Sequence, residues 1–154
     1  MRSFIPNEIK KLMLEENYYK SSRNNWITLE IVEKYPDWTW DWVTVSSKDW
    51  VTLDVVQKHE NWNWNWFEIS KKEWVTLEVV EKYLNWNWNW SVISSKEWVT
   101  LEIVENYSDW NWDWYEISSK EWVTLEIIET YSDKNWGFGW NLLKNILIGN
   151  GTGK

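Results

Sequence analysis

Apolar and polar positions follow one register from Trp26 to about residue 145. From Trp74 the chain reads WVTLEVVEKYLNWNWNWSVISSKE, and from Trp98 it reads WVTLEIVENYSDWNWDWYEISSKE. Trp26, Trp50, Trp74, Trp98 and Trp122 follow one another at a spacing of 24 residues. In the first half of the unit, Leu77, Val80 and Tyr83 are spaced i, i+3, i+6 with Val79 beside them, while Glu78, Glu81 and Lys82 take the other face. That spacing predicts a short amphipathic helix. Thr76 is a candidate N-cap, flanked by Val75 and Val80 as a hydrophobic staple. Alternatively, Ser70 with Glu73, Ser94 with Glu97 and Ser118 with Glu121 form S-x-x-E capping boxes that start the helix earlier.

The second half, NWNWNWSVIS, has two readings. Its W-x-W-x-W alternation suits a strand with every Trp on one face. But Ile93 continues the apolar set three residues after Trp90, whereas Val92 is replaced by Thr44, Glu68 and Glu116 elsewhere. Trp86, Trp90 and Ile93 then lie at i, i+4, i+7, one face of a helix. Asp37, Asn61, Asn85, Asp109 and Asp133 precede the segment as an N-cap series. Two helices and two tight turns fit 24 residues, and the units lack the Gly-rich corners that β-coils use. The expected fold is therefore all-α, a short α-solenoid of 24-residue helix-turn-helix repeats with terminal capping helices. A β-solenoid is the alternative, since Val, Ile, Thr, Trp and Tyr all favour strands.

The expected organisation has an N-terminal capping helix over 1–25 and five tandem repeats over 26–145. The repeats are 26–49, 50–73, 74–97, 98–121 and a degenerate 122–145. The end of a C-terminal cap helix and a flexible tail follow over 146–154. In the fifth repeat Lys134 and Phe138 replace Trp, and Gly137 and Gly139 replace other residues of the unit. Residues 141–148 (NLLKNILI) predict a last apolar helix, half exposed and suited to self-association.

The I/V-T-x-E-I/V-I/V segment, then D/N-W-x-W, then an apolar residue and Ser, resembles the tryptophan-rich repeats of giant DNA viruses of the mimivirus kind. Here it is carried by Val51 to Val56, Asn61 to Trp66, Ile69 and Ser70, and their equivalents over about 26–145. Where such repeats often have Asn-Pro before the first helix, this chain has Lys-Asp or Lys-Glu. The resemblance implies a repeat architecture and a viral setting, with no activity attached. Separately, Ile5-Pro6-Asn7-Glu8-Ile9 is similar to the opening of an F-box. Only about 20 residues precede the first repeat, too few for a complete one, and a capping helix with Pro6 in its first turn is the plainer reading.

Composition narrows the function. There are 19 Trp in 154 residues, and 18 of them fall in four columns of the repeat, leaving only Trp140 out of register. The excess is thus a property of the unit and not a scatter of sites. There is no Cys and a single His, which excludes a disulfide framework, a thiolate metal site and a Cys nucleophile. No Ala occurs, and residues with GC-rich codons are scarce, which suits an AT-rich coding sequence. The net charge is −8, and the five units carry about −3, −1, −1, −5 and −1. No unit is basic, so nucleic acid is not an expected partner. No segment approaches the ~20 apolar residues of a membrane span, and MRSFIPNEIKK lacks the apolar run of a signal peptide. The expected location is cytoplasmic, or the host cytoplasm or virion if the chain is viral.

The candidate binding residues are Trp40, Trp64, Trp88, Trp112 and Trp136. At about 100° per residue this column points away from the Trp on either side of it. Stacked units would turn it into an aromatic ladder for a glycan or peptide. Alternatively the ring packs on the adjacent unit, which would give short helices the burial they need. His59 stands where Tyr35, Tyr83, Tyr107 and Tyr131 stand and reads as a packed replacement, with a pH switch as the alternative. Ser46, Ser70, Ser94 and Ser118 lack a recurring base, so no nucleophile is indicated. Asp109, Asp113, Glu116 and Glu121 form the most acidic patch, a solvated face or an attractor for a basic partner or cation. The overall expectation is a non-enzymatic scaffold with protein partners, without cofactor or metal. A carbohydrate- or peptide-binding module is the alternative.

Overall fold

The computed structural model describes residues 26–137, together with the isolated positions 7, 10, 11 and 139. Apart from those isolated positions, the expected caps at both ends and the F-box-like opening lie outside the described residues, as does the 141–148 helix. Two compact units divide the chain, Met1–Trp74 and Val75–Lys154. The first contains α1 (Leu29–Lys34), α2 (Trp42–Ser47), α3 (Leu53–Lys58) and α4 (Trp66–Ser70). The second contains α5 (Leu77–Lys82), α6 (Trp90–Ser95), α7 (Leu101–Asn106), α8 (Trp114–Ile117) and α9 (Leu125–Thr130). The described residues contain no strand, so the fold is an all-α repeat and the β-solenoid alternative is overturned.

Each repeat begins its first helix as the Thr N-cap predicts. Thr28, Thr52, Thr76, Thr100 and Thr124 accept from the backbone N–H three residues on at 3.4–3.5 Å. The residues on either side of the cap, Val75 and Val80, are both buried, as a staple requires. The capping-box alternative fails because the first helix starts at the Thr cap and the serines are used elsewhere. Ser94 Oγ accepts from Asp113 N–H at 2.8 Å, as Ser46 Oγ in the same column does from Asn65 N–H at 2.9 Å. Ser118 Oγ donates to the Tyr115 carbonyl at 2.6 Å.

The second helix starts four residues later than the sequence suggests. Its N-caps are Asp41, Asn65, Asn89 and Asp113, not Asp37, Asn61, Asn85 and Asp109. The intervening D/N-W-x-W is held as a turn. Trp38 N–H donates to the Tyr35 carbonyl at 3.1 Å, and Trp40 N–H to the Trp38 carbonyl at 2.9 Å, closing a γ-turn. The same pair of bonds recurs at Trp62 and Trp64, Trp86 and Trp88, Trp110 and Trp112, and Lys134 and Trp136. These contacts compete with the i to i+4 ladder and delay the helix. In the fifth repeat the N-cap position is Gly137, where an added Cβ would lie 2.5 Å from Ser118 Oγ.

The core consists of one small set per repeat. In the third it is Val75, Val80, Trp88 and Ile93, each at 5% exposure or less. Helices of four to six residues are too short to stand alone, so this packing and the bonds between repeats supply their stability.

Candidate functional site: the tryptophan columns and what they bond

The column proposed as an aromatic ladder is core. Trp40, Trp64, Trp88, Trp112 and Trp136 are only 1–6% exposed. The reason is polar as well as apolar. Each indole N–H donates to the carbonyl that follows the first helix: Trp40 to Tyr35 at 3.0 Å, Trp64 to His59 at 2.9 Å, Trp88 to Tyr83 at 2.9 Å, Trp112 to Tyr107 at 2.8 Å and Trp136 to Tyr131 at 2.9 Å. A helix end leaves carbonyls without intrahelical partners, and a ring that brings its own donor can be buried there without loss. This is the packed alternative, and an exposed Trp40–Trp136 stripe for a glycan or peptide is corrected. The helical-wheel argument for exposure fails because these residues precede the second helix.

The same rings meet the neighbouring repeat. Trp42 lies 5.6 Å from both Trp62 and Trp64, Trp90 lies 5.6 Å from Trp110 and 5.7 Å from Trp112, and Trp114 lies 5.0 Å from Trp136. The second-column ring lost at Lys134 is replaced by a cation, whose Nζ stands 5.8 Å over Trp114.

The first Trp of each repeat is a rivet to the one before. Trp50 donates to the Ile27 carbonyl at 3.0 Å and Trp74 to Val51 at 3.1 Å. Trp98 donates to Val75 at 3.2 Å and Trp122 to Val99 at 3.2 Å. Lysines act likewise: Lys72 Nζ donates to the Lys48 carbonyl at 2.6 Å, and Lys120 Nζ to the Lys96 and Ser95 carbonyls at 2.6 and 2.9 Å. Each ammonium caps the end of the preceding second helix, and burial pushes both below the ordinary lysine range.

The aromatic at the end of the first helix makes a further link. Tyr107 donates to Glu81, and Tyr131 to Glu105 at 3.3 Å. His59 Nε2 lies 2.9 Å from Glu33 Oε1, and its ring stacks on Trp62 at 3.9 Å, as Tyr83 stacks on Trp86 at 4.3 Å. His59 thus fills the packed tyrosine column. Hydrogen bonds from Lys58 and then His59 hold the Glu33 carboxyl below its ordinary value.

The tyrosine link sets a pH dependence. The hydrogen bond to Glu81 raises the Tyr107 phenol above 10.0, while burial and then Glu105 raise Tyr131. A raised phenol stabilises the fold below its unfolded value, and that contribution is lost as pH rises through the folded one. Stability is therefore expected to fall above about pH 10. In ring-carbon NMR titrations, Glu81→Gln should return Tyr107, but not Tyr131, toward ordinary ionisation.

Ser46, Ser70 and Ser94 are fully buried, which removes them as nucleophiles. In the acidic patch, Asp113 caps α8 through Tyr115 and Glu116 N–H, and Glu116 accepts from Ser91 Oγ at 3.2 Å. No group of three or more His, Asp or Glu among the described residues is placed to hold a metal. No helix among the described residues is long and apolar enough to cross a membrane. Sequence reasoning missed the structural use of the serine, lysine and first-Trp columns; their invariance from unit to unit was the available signal. No family model, curated protein or solved structure matches the chain.

Proposed function

We propose that the chain is a non-enzymatic repeat scaffold whose protein partners dock on the outer face of the second helices. One observation supports this reading above others. The frame residues repeat nearly unchanged, and they are spent on bonds within and between repeats. Three of the five exposed large apolar side chains among the described residues instead share one position whose identity varies: Val43 at 52%, Phe67 at 49% and Tyr115 at 62%, with Ser91 and Gly139 in the same register, while Leu84 and Leu125 lie elsewhere in the repeat. A constant frame carrying a variable exposed position is how repeat proteins separate stability from recognition. In the first unit Val43 and Phe67 sit on α2 and α4, which pack against each other. The α-solenoid expected from the sequence belongs to the same proposal.

A random-peptide display library is the direct test. Peptides selected on the wild type should lose binding to Phe67→Ser or Tyr115→Ser while the circular dichroism spectrum stays unchanged. Failure to enrich any peptide, or enrichment indifferent to both substitutions, overturns the reading.

A further inference from the structure

The first unit has a groove of about 510 Å³, lined by Ser47, Val51, Trp74, the two lysines Lys71 and Lys72 and three carboxylates, Asp49, Glu68 and Glu73. Its size falls within the range of ligand-sized clefts. The lysines in it are already engaged. Lys72 donates to the Lys48 carbonyl, and Lys71 bridges both oxygens of Glu68 at 3.1 and 3.2 Å while its Nζ lies 4.9 Å over Phe67. Asp49 and Glu73 make no hydrogen bond or ion pair among the described residues, and both are exposed. Trp74 spends its N–H on Val51 and keeps part of its ring uncovered. Asp49 lies close enough to Lys72 to act on its charge but is not bonded to it. What remains is two exposed carboxylates with open hydrogen-bonding capacity beside an aromatic surface, the combination that receives a guanidinium or ammonium.

The second unit carries the same set 48 residues on: Glu97 for Asp49, Val99 for Val51, Glu116 for Glu68, Lys120 for Lys72, Glu121 for Glu73 and Trp122 for Trp74. There Lys120 is again bound to the preceding carbonyls, and Trp122 to Val99. Glu97 and Glu121 are again exposed and make no hydrogen bond or ion pair among the described residues. Ser119 replaces Lys71, which removes one positive charge. The same residue types therefore recur in the second unit with the same lysine and indole bonds, in a chain of net charge −8.

We propose that this groove, and the matching residues of the second unit, take the cationic side chains of a basic peptide segment, arginine above lysine because a planar guanidinium can both stack on the indole and bond a carboxylate. The carboxylates of Asp49 and Glu73 hold the cation in the first unit, and those of Glu97 and Glu121 in the second. The proposal rests on the scaffold reading and gives its partner a chemistry.

Anisotropy of a labelled oligo-arginine peptide tests it on the full chain, against an oligo-glutamate peptide and a panel of neutral oligosaccharides. Oligo-arginine should bind, more weakly as salt rises, and oligo-lysine should bind less tightly. Asp49→Asn/Glu73→Gln should weaken binding by roughly three- to tenfold, and Glu97→Gln/Glu121→Gln likewise. Glu30→Gln/Asp54→Asn removes the same charge from exposed first turns and should change it less than about twofold. Equal weakening by that control reduces the effect to general attraction and overturns the site. Binding of a neutral oligosaccharide in place of oligo-arginine overturns the ligand class. If oligo-arginine fails while display still yields peptides sensitive to Phe67→Ser, the groove proposal falls and the scaffold reading stands; if both fail, both fall.

Discussion

Replacing Trp112 by alanine will cost about 3–5 kcal/mol, enough to unfold much of a marginally stable domain. The ring is 6% exposed, it meets Trp90 at 5.7 Å and Trp110 at 5.5 Å, and its N–H satisfies the Tyr107 carbonyl. Alanine removes a large apolar surface and leaves a cavity between two repeats. It also strips a partner from a carbonyl at a helix end. Trp112→Phe separates the two effects. It retains most of the ring and loses the donor, so its cost should be only about 1–3 kcal/mol. By contrast, Trp110→Phe at a half-buried ring, whose indole has no hydrogen bond among the described residues, should cost less than Trp112→Phe. Urea denaturation of the three variants gives the comparison. Equal midpoints for wild type and Trp112→Ala would show that the ring is not core.

Deleting residues 74–97 should leave a folded protein of the same helical character but lower stability. The deletion removes one whole period. Trp98 then follows Glu73 and can donate to the Val51 carbonyl, as Trp74 does now. Thr100 still caps a first helix and Asp113 a second. Deleting 86–97, half a period, places a first-helix segment where a second helix is required. It should abolish cooperative unfolding, because the side chains that link repeats no longer meet their partners. The midpoint of the full-repeat deletion should fall by roughly 2–4 °C for each kcal/mol lost. A cooperative, native-like half-period deletion would refute the interlocked register.

The repeat, the helical class and the Thr caps were legible because each depends on local spacing. Thr76 and Val80 need only their own segment to reveal their roles. The start of the second helix was not legible, because Asn85 and Asn89 are both good caps and the choice between them is made by Trp88. Its N–H reaches the Tyr83 carbonyl across a turn that no periodicity encodes. The sequence left the Trp88 column open between an exposed ladder and a packed ring for the same reason: a helical wheel does not describe a segment that is a turn. The contacts at separations of 19, 23, 24 and 26 residues, such as Asp113 with Ser94, Trp98 with Val75, Lys72 with Lys48 and Tyr131 with Glu105, are long-range. Sequence shows that these residues recur, but it does not show which member of the next repeat each one meets. The groove residues Asp49 and Glu73 were invisible as a pair until the chain was folded.

The tryptophans of the described repeats are therefore mainly internal fasteners, and hydrogen exchange at the indole Nε1 positions, read by NMR, tests that most directly. Trp40, Trp64, Trp88, Trp112 and Trp136 should exchange slowly, at rates tied to opening of the fold, while Trp62 and Trp110 should exchange quickly. Solvent-like exchange at the Trp40 to Trp136 column would show that those rings face water, and would contradict the buried framework.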